Sequence, residues 1–215
     1  MIKSGITKID DFLNGGFKGG FVTDIFGSPA SGKTQLLFQI CANAVMNKSQ
    51  ILFQDTKGEF RPERILEILK IYNKDEKLLE NIKVSRITNT NEQISNLSKI
   101  TSNFSLIIID SITELFSFEY DKEKQFLERN KLFMKYMHQL SDISIEKNIP
   151  IIVTNTIRTI DDKEIENLEK AINLFPHFKI HLIKNGNSIN AELSTINKKS
   201  KFSFVISNEG VVEAS

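Results

Sequence analysis

Residues 21–26 read as a buried strand, the chain breaks at Gly27, and Leu36, Leu37, Ile40, Cys41, Ala44 and Val45 then recur at helical spacing. The alternation continues downstream. Ile51–Asp55 reads as a second strand, and residues 61–72 place Ile65, Ile68, Leu69 and Tyr72 on one helical face, with Pro62 suited to the first turn. Residues 82–87 give a third strand, and residues 92–101, with Ile94, Leu97 and Ile100, give a helix. Leu106–Asp110 is apolar enough for a central strand buried on both faces. A long helix over residues 122–147, with Phe126, Phe133, Met137 and Leu140 inward, leads to a strand at residues 150–155.

Beyond Asn155 the pattern changes. A charged segment, residues 158–170, precedes alternating runs near residues 179–183, 191–196 and 202–206, which read as antiparallel strands with turns at residues 184–187 and 207–210. The first two thirds therefore predict an α/β fold with a central, mainly parallel sheet flanked by helices, and the last third extends it with antiparallel strands. At 215 residues, without a repeat or a Pro- or Ser/Gly-rich linker, one domain over residues 1–215 is expected.

Composition narrows the function classes. With 40% hydrophobic and 26% charged residues the chain is neither disordered nor low-complexity, and 28 Lys+Arg against 27 Asp+Glu exclude a histone-like positive field. Nucleic-acid contact would have to come from a local patch. Cys41 is the single cysteine, so no internal disulfide forms; it reads as a small buried apolar residue in a reducing compartment. The first ten residues lack the apolar core of a secretory signal, and no run approaches the roughly 18 to 20 apolar residues of a membrane span, so a cytoplasmic protein is expected. His138, His177 and His181 have no metal or triad spacing and read as surface or core-edge residues.

The strongest chemical signal is Gly27-Ser28-Pro29-Ala30-Ser31-Gly32-Lys33-Thr34, a full G-x-x-x-x-G-K-[ST] between a strand and a helix, with Gln35 next. Its glycines let backbone N–H groups surround phosphate oxygens, the helix N-terminus adds a favourable dipole, Lys33 brings charge to the β and γ phosphates, and Thr34 can ligate Mg²⁺. Asp110, ending the apolar strand at residues 106–110, can hold the same Mg²⁺ opposite Thr34. A nucleoside triphosphate with Mg²⁺ is thus the expected ligand.

These motifs sit in a longer series: Ser4-Gly5 with Ile9-Asp10, Gly15-Gly16 and Gly19-Gly20, the phosphate loop, Asp55-Thr56 before Phe60-Arg61-Pro62-Glu63-Arg64-Ile65, Ile109-Asp110-Ser111-Ile112-Thr113 and Val153-Thr154-Asn155. In that order the chain resembles RecA-family recombinase cores, in particular the archaeal RadA/RadB branch, over nearly its whole length. A main recombinase of that branch carries a small helical domain ahead of the core, whereas Met1 stands almost at the core here, as expected of a RadB-like paralogue. The resemblance implies a RecA-like P-loop core and a role for Arg64 in stacking on adenine. The other reading of Arg64 is an exposed helix residue paired with Glu67.

The chain departs from the family at several positions. The water-orienting glutamate that follows the family's Asp-Thr pair is Lys57 here, which cannot act as that base while protonated. General-base assistance is typically worth about 10² to 10⁴ in rate, so slow hydrolysis is expected. Glu59, or more distantly Glu114, is a substitute base; otherwise both are solvated acids. The sensor glutamine after Thr154-Asn155 is Thr156. Of the loops that face DNA in the family, residues 158–166 carry Asp161 and Asp162 and lack the glycine pair, and residues 119–125 are of mixed charge. Neither suits strong phosphate tracking. Arg158, Lys198, Lys199 and Lys201 remain as DNA candidates, the lysines reading otherwise as a solvated strand edge.

The expectation is a RadB-like ATP-binding accessory of DNA repair and homologous recombination, hydrolysing ATP slowly. Its partners would be a RadA-type recombinase and, weakly, single-stranded DNA, with a homo-oligomer left open. One alternative is a KaiC-like nucleotide-gated signalling or scaffold protein without a DNA role; another is a DNA-stimulated ATPase acting as a minimal recombinase.

Overall fold

The computed structural model describes residues 1–160 and 163–214. The chain runs through α1 (Thr7–Phe12), β1 (Val22–Gly27), α2 (Lys33–Met46), β2 (Ile51–Asp55), α3 (Pro62–Ile71), β3 (Ile82–Arg86), α4 (Thr90–Ser95), β4 (Leu106–Asp110) and α5 (Glu114–Glu119). It continues through α6 (Phe126–Lys147), β5 (Ile151–Ile160), β6 (Lys163–Glu166), α7 (Glu169–Ile172), β7 (Phe178–Asn185), β8 (Ser188–Ser194), β9 (Lys199–Ser207) and β10 (Gly210–Glu213). The strands form a mixed sheet in the order β10-β9-β8-β7-β1-β5-β4-β2-β3, with β6 paired to β5. From β7 to β3 the neighbours are parallel, and β7 to β10 are joined antiparallel. This is the mixed α/β sheet of a RecA-like core.

Strand alternation splits the apolar side chains between two layers. Ile108 and Ile152 face the side where Leu36, Leu37, Ile40 and Cys41 of α2 pack with Ile65 and Ile68 of α3. Ile107, Ile109, Ile151 and Val153 face Phe133, Tyr136, Met137 and Leu140 of α6. Cys41 is fully buried, and burial raises its thiol pKa far above the usual range. Among the described residues, no helix is long and apolar enough to cross a membrane.

Several elements differ from the sequence expectation. The charged segment at residues 158–170 is not a loop: β5 runs on to Ile160 and β6 returns beside it, pairing Arg158 with Ile165 and Ile157 with Glu166. Backbone pairing continues there because a two-stranded ribbon needs no buried face, which is why hydropathy did not reveal it. The helix expected from residue 122 begins at Phe126, after a 3-10 turn at Glu123–Gln125. Phe126 is not inward but exposed, as is Leu127, because the first turn of α6 lies clear of the core; the Arg129 guanidinium covers the Phe126 ring at 4.6 Å. The helix at residues 92–101 is shorter, giving way to a 3-10 turn after Ser95, and β8 ends at Ser194, leaving Ile196 wholly exposed.

Candidate nucleotide-binding site

The parallel registers place Gly27 beside Thr156 and Asp55 beside Asp110, so the carboxyl ends of β1, β2, β4 and β5 converge on one edge of the sheet. Gly27 ends β1, and a Cβ there would come 2.3 Å from the Leu182 carbonyl oxygen. Gly32 caps α2 at φ 93°, a left-handed conformation that glycine adopts without strain, with Ile189 close beneath it. Lys33, the first residue of α2, folds back over the loop and donates to the carbonyls of Gly27 and Ser28, both at 2.8 Å, and to Ser31 Oγ at 3.4 Å. It is 6% exposed. Burial pushes its ammonium down to about 8; Lys57 adds to that effect, whereas Asp110, Glu59 and Glu114 oppose it.

Thr34 Oγ1 donates to Asp110 Oδ2 at 2.8 Å, and the other Asp110 oxygen accepts from Thr154 Oγ1. A buried carboxylate oxygen against a hydroxyl is a hard, all-oxygen pair. Among the described residues there is no cluster of three or more His, Cys, Asp or Glu that could cage a metal. The pair therefore fits Mg²⁺, which keeps water and phosphate oxygens in its shell, better than an ion held wholly by protein.

Arg64 is engaged along its edges. It donates to Glu67 Oε2 at 2.7 Å, to Gln35 Oε1 at 3.1 Å, to the Asn208 carbonyl at 3.1 Å and to the Ser207 carbonyl. The Glu67 pair is thus formed, and Gln35 supports Arg64. Only the guanidinium face remains for stacking. Ser28, Pro29 and Ala30 form the outer part of the loop, and Ala30 takes φ 60°. The side chain of Glu59 is exposed at the end of β2, and that of Glu114 is exposed at the start of α5.

The DNA candidates are not brought together. Arg158 lies on β5 beyond Thr156, at the phosphate-loop end of the sheet, and its charge acts on Arg129. The β8–β9 connection lies at the other end, since Ser194 pairs with Lys179 and Lys199, and Phe178 pairs with Thr23 near the start of β1. Lys198 donates to the Phe12 carbonyl at 3.2 Å and covers its ring, Lys201 pairs with Glu192 at 2.5 Å, and Lys199 is exposed. β10 covers β9 only from Phe204 to Ser207, so the lysine stretch has β8 on one side alone. Asp161 and Asp162 lie outside the described residues.

A buried polar network escaped the sequence reading. Asn155 accepts from Thr113 Oγ1 at 2.6 Å and donates to Glu166 Oε1 and the Asn167 carbonyl, both at 2.8 Å, while Asn167 donates to Thr113 and Ser117. Glu166 and Asp24 share Lys179. Asp24 is fully buried, 3.3 Å from the Lys179 ammonium but without hydrogen-bond geometry at either oxygen. Burial, then the Glu166 charge, raises its carboxyl well above the usual range. Only the Thr154-Asn155 pair signalled this network. His177 accepts from the Val22 N–H, His181 stacks on Phe26 at 4.5 Å, and His138 pairs with Asp142 on the surface of α6.

A parallel sheet whose strand ends carry a glycine-turned phosphate loop and a buried aspartate defines a P-loop core of the RecA type. The chain belongs to the Rad51 family, whose sequence profile matches residues 1–172. It is similar to the DNA repair and recombination protein RadA of Cenarchaeum symbiosum, 33% identical over 174 residues, covering 75% of this chain and 44% of that protein. It is also similar to the DNA repair and recombination protein RadB of Thermoplasma acidophilum, 29% identical over 166 residues and covering 73% and 67%. The meiotic recombination protein DLH1 of Candida albicans is 29% identical over 170 residues, covering 74% and 52%. The chain spans about half the length of the first two of these relatives taken by similarity, RadA and DLH1.

Proposed function

We propose that this chain binds ATP with Mg²⁺, hydrolyses it slowly, and serves DNA repair and homologous recombination as a RadB-like accessory that assists a RadA-type recombinase on single-stranded DNA. The observation that carries the reading is Lys57, which stands directly after Asp55-Thr56 beside an otherwise complete set of Lys33, Thr34 and Asp110. Thr34 and Asp110 would hold Mg²⁺, which when bound neutralises phosphate charge. Lys33, Ser28–Gly32 backbone groups and Gln35 would bind and orient the phosphates, and Arg64 would offer its face to the base. The separation of Arg158 from Lys198, Lys199 and Lys201 supports weak DNA contact. Membership of the Rad51 family supports the recombination role.

The test is a reconstituted loading assay with a RadA-type recombinase on single-stranded DNA. Faster loading with this chain and ATP, lost on Lys33→Ala, is the expected result; no partner binding and no effect on loading would sink the reading. A second reading, a minimal DNA-stimulated ATPase, would take Glu59 as its base, two residues after Lys57 in the turn that Asp55 holds. It requires robust turnover that collapses on Glu59→Ala. A scaffold without a DNA role requires that salt-dependent DNA binding be absent.

A further inference from the structure

The turn after β2 is fixed by its backbone. The Asp55 carboxylate, 4% exposed, accepts the N–H groups of Lys57 at 3.1 Å, Gly58 at 2.7 Å, Glu59 at 3.2 Å and Phe60 at 3.2 Å. Thr56 is pinned to the neighbouring strand end, its N–H donating to the Asp110 carbonyl and its hydroxyl to the Ser111 carbonyl, both at 2.8 Å. Arg86 closes the outer side, 3.7 Å from the Asp55 carboxylate and donating to its carbonyl at 3.0 Å. Lys57 is thus placed two residues beyond Asp55, the register partner of Asp110, by bonds that do not involve its own side chain.

That side chain has no ion-pair partner among the described residues. The Thr56 bond to the Asp110 carbonyl nevertheless brings Lys57 beside the strand end whose carboxylate accepts from Thr34. The Lys57 and Lys33 ammonium groups repel each other, and an anion between them reverses the sign of the interaction. Thr34, at the start of α2, bonds to Asp110, at the end of β4, so the Mg²⁺ pair stands between the phosphate loop and the turn that carries Lys57.

We propose that Lys57 binds the terminal phosphate of ATP and makes this chain select ATP over ADP. The inference rests on the reading of the site as an ATP site. Lys33 serves the β phosphate of either nucleotide, whereas a cation displaced from it toward the β2 end meets only the additional phosphate of the triphosphate. A charge-assisted bond there holds ATP without activating water, and a lysine does this as a point charge.

The test is equilibrium binding of Mg²⁺–ATPγS and Mg²⁺–ADP to the wild type and to Lys57→Ala, Lys57→Gln and Lys57→Arg, with the melting temperature of each as a folding control. The wild type should prefer the triphosphate by about tenfold or more. Lys57→Ala and Lys57→Gln should lose that preference while keeping ADP affinity within about twofold, and Lys57→Arg should retain it. An unchanged preference in Lys57→Ala, or equal loss for both nucleotides, overturns the inference alone. Failure of the wild type to bind either nucleotide overturns the ATP-site reading and the inference with it.

Discussion

Lys33 is held in place by its own loop. Its ammonium bonds to the carbonyls of Gly27 and Ser28 and is buried, and under the proposed function it binds phosphate. Lys33→Ala should weaken Mg²⁺–ATP binding by more than about tenfold in calorimetry while leaving α2 intact, since alanine suits a helix start. Asp24 is the opposite case, a carboxylate taken from water with incomplete compensation. Its folded pKa lies above the unfolded value of 3.8, so its contribution to stability is full below 3.8 and is lost as pH rises through the folded pKa. The melting temperature of the wild type minus that of Asp24→Asn should therefore fall as pH is raised from 3.8; a difference that grows with pH would contradict this assignment. Both residues are in the sequence, but only Lys33 announces itself, because Asp24 acquires its meaning from Glu166 and Lys179, far from it in the chain.

At the scale of elements, Arg64 joins α3 to the turn between β9 and β10 through the Ser207 and Asn208 carbonyls. Hydrogen bonds from a charged group contribute about 1.5 to 3 kcal/mol, so Arg64→Ala should lower stability by about that amount in urea unfolding. Arg64→Lys should not restore it, because an ammonium lacks the planar fork. Such a tie explains why a residue expected at the base of the nucleotide is also structural. The long, strongly periodic elements were legible: Leu36, Leu37 and Ile40 in α2, and the unbroken apolar run of β4. The short ones were not. α1, α5 and α7 have six residues or fewer, too short for a 3.6-residue period to stand out, and β6 pairs through its backbone with Ile165 as its single apolar residue. Phe126 misled because the period continues past the point where α6 has a packing partner.

Across the whole molecule, the parallel order of β1, β5, β4 and β2 gathers Gly27, Thr156, Asp110 and Asp55 at one edge although they are widely spaced in sequence. The phosphate loop and Asp110 were legible because their chemistry demands fixed residue types. The distribution of positive charge was not, since Arg158 and the lysines at residues 198–201 come to opposite ends of the sheet only through strand registers. A short oligonucleotide seated at Arg158 does not extend to those lysines at the far end of the sheet. The slope of log affinity for oligo-dT against log salt should therefore have a magnitude below about 2, given about 0.7 per neutralised phosphate. A steeper slope would require a groove that the described residues do not form.

Under the proposed function the site binds ATP but lacks the group that activates water. The most direct test of that reading is Mg²⁺–ATP turnover with and without single-stranded DNA, with Lys33→Ala as the reference. Turnover within a few-fold of that reference, alongside measurable ATP binding, is the predicted result. Turnover well above it, raised by DNA and abolished by Glu59→Ala, would overturn the slow-hydrolysis reading and assign the missing base to Glu59.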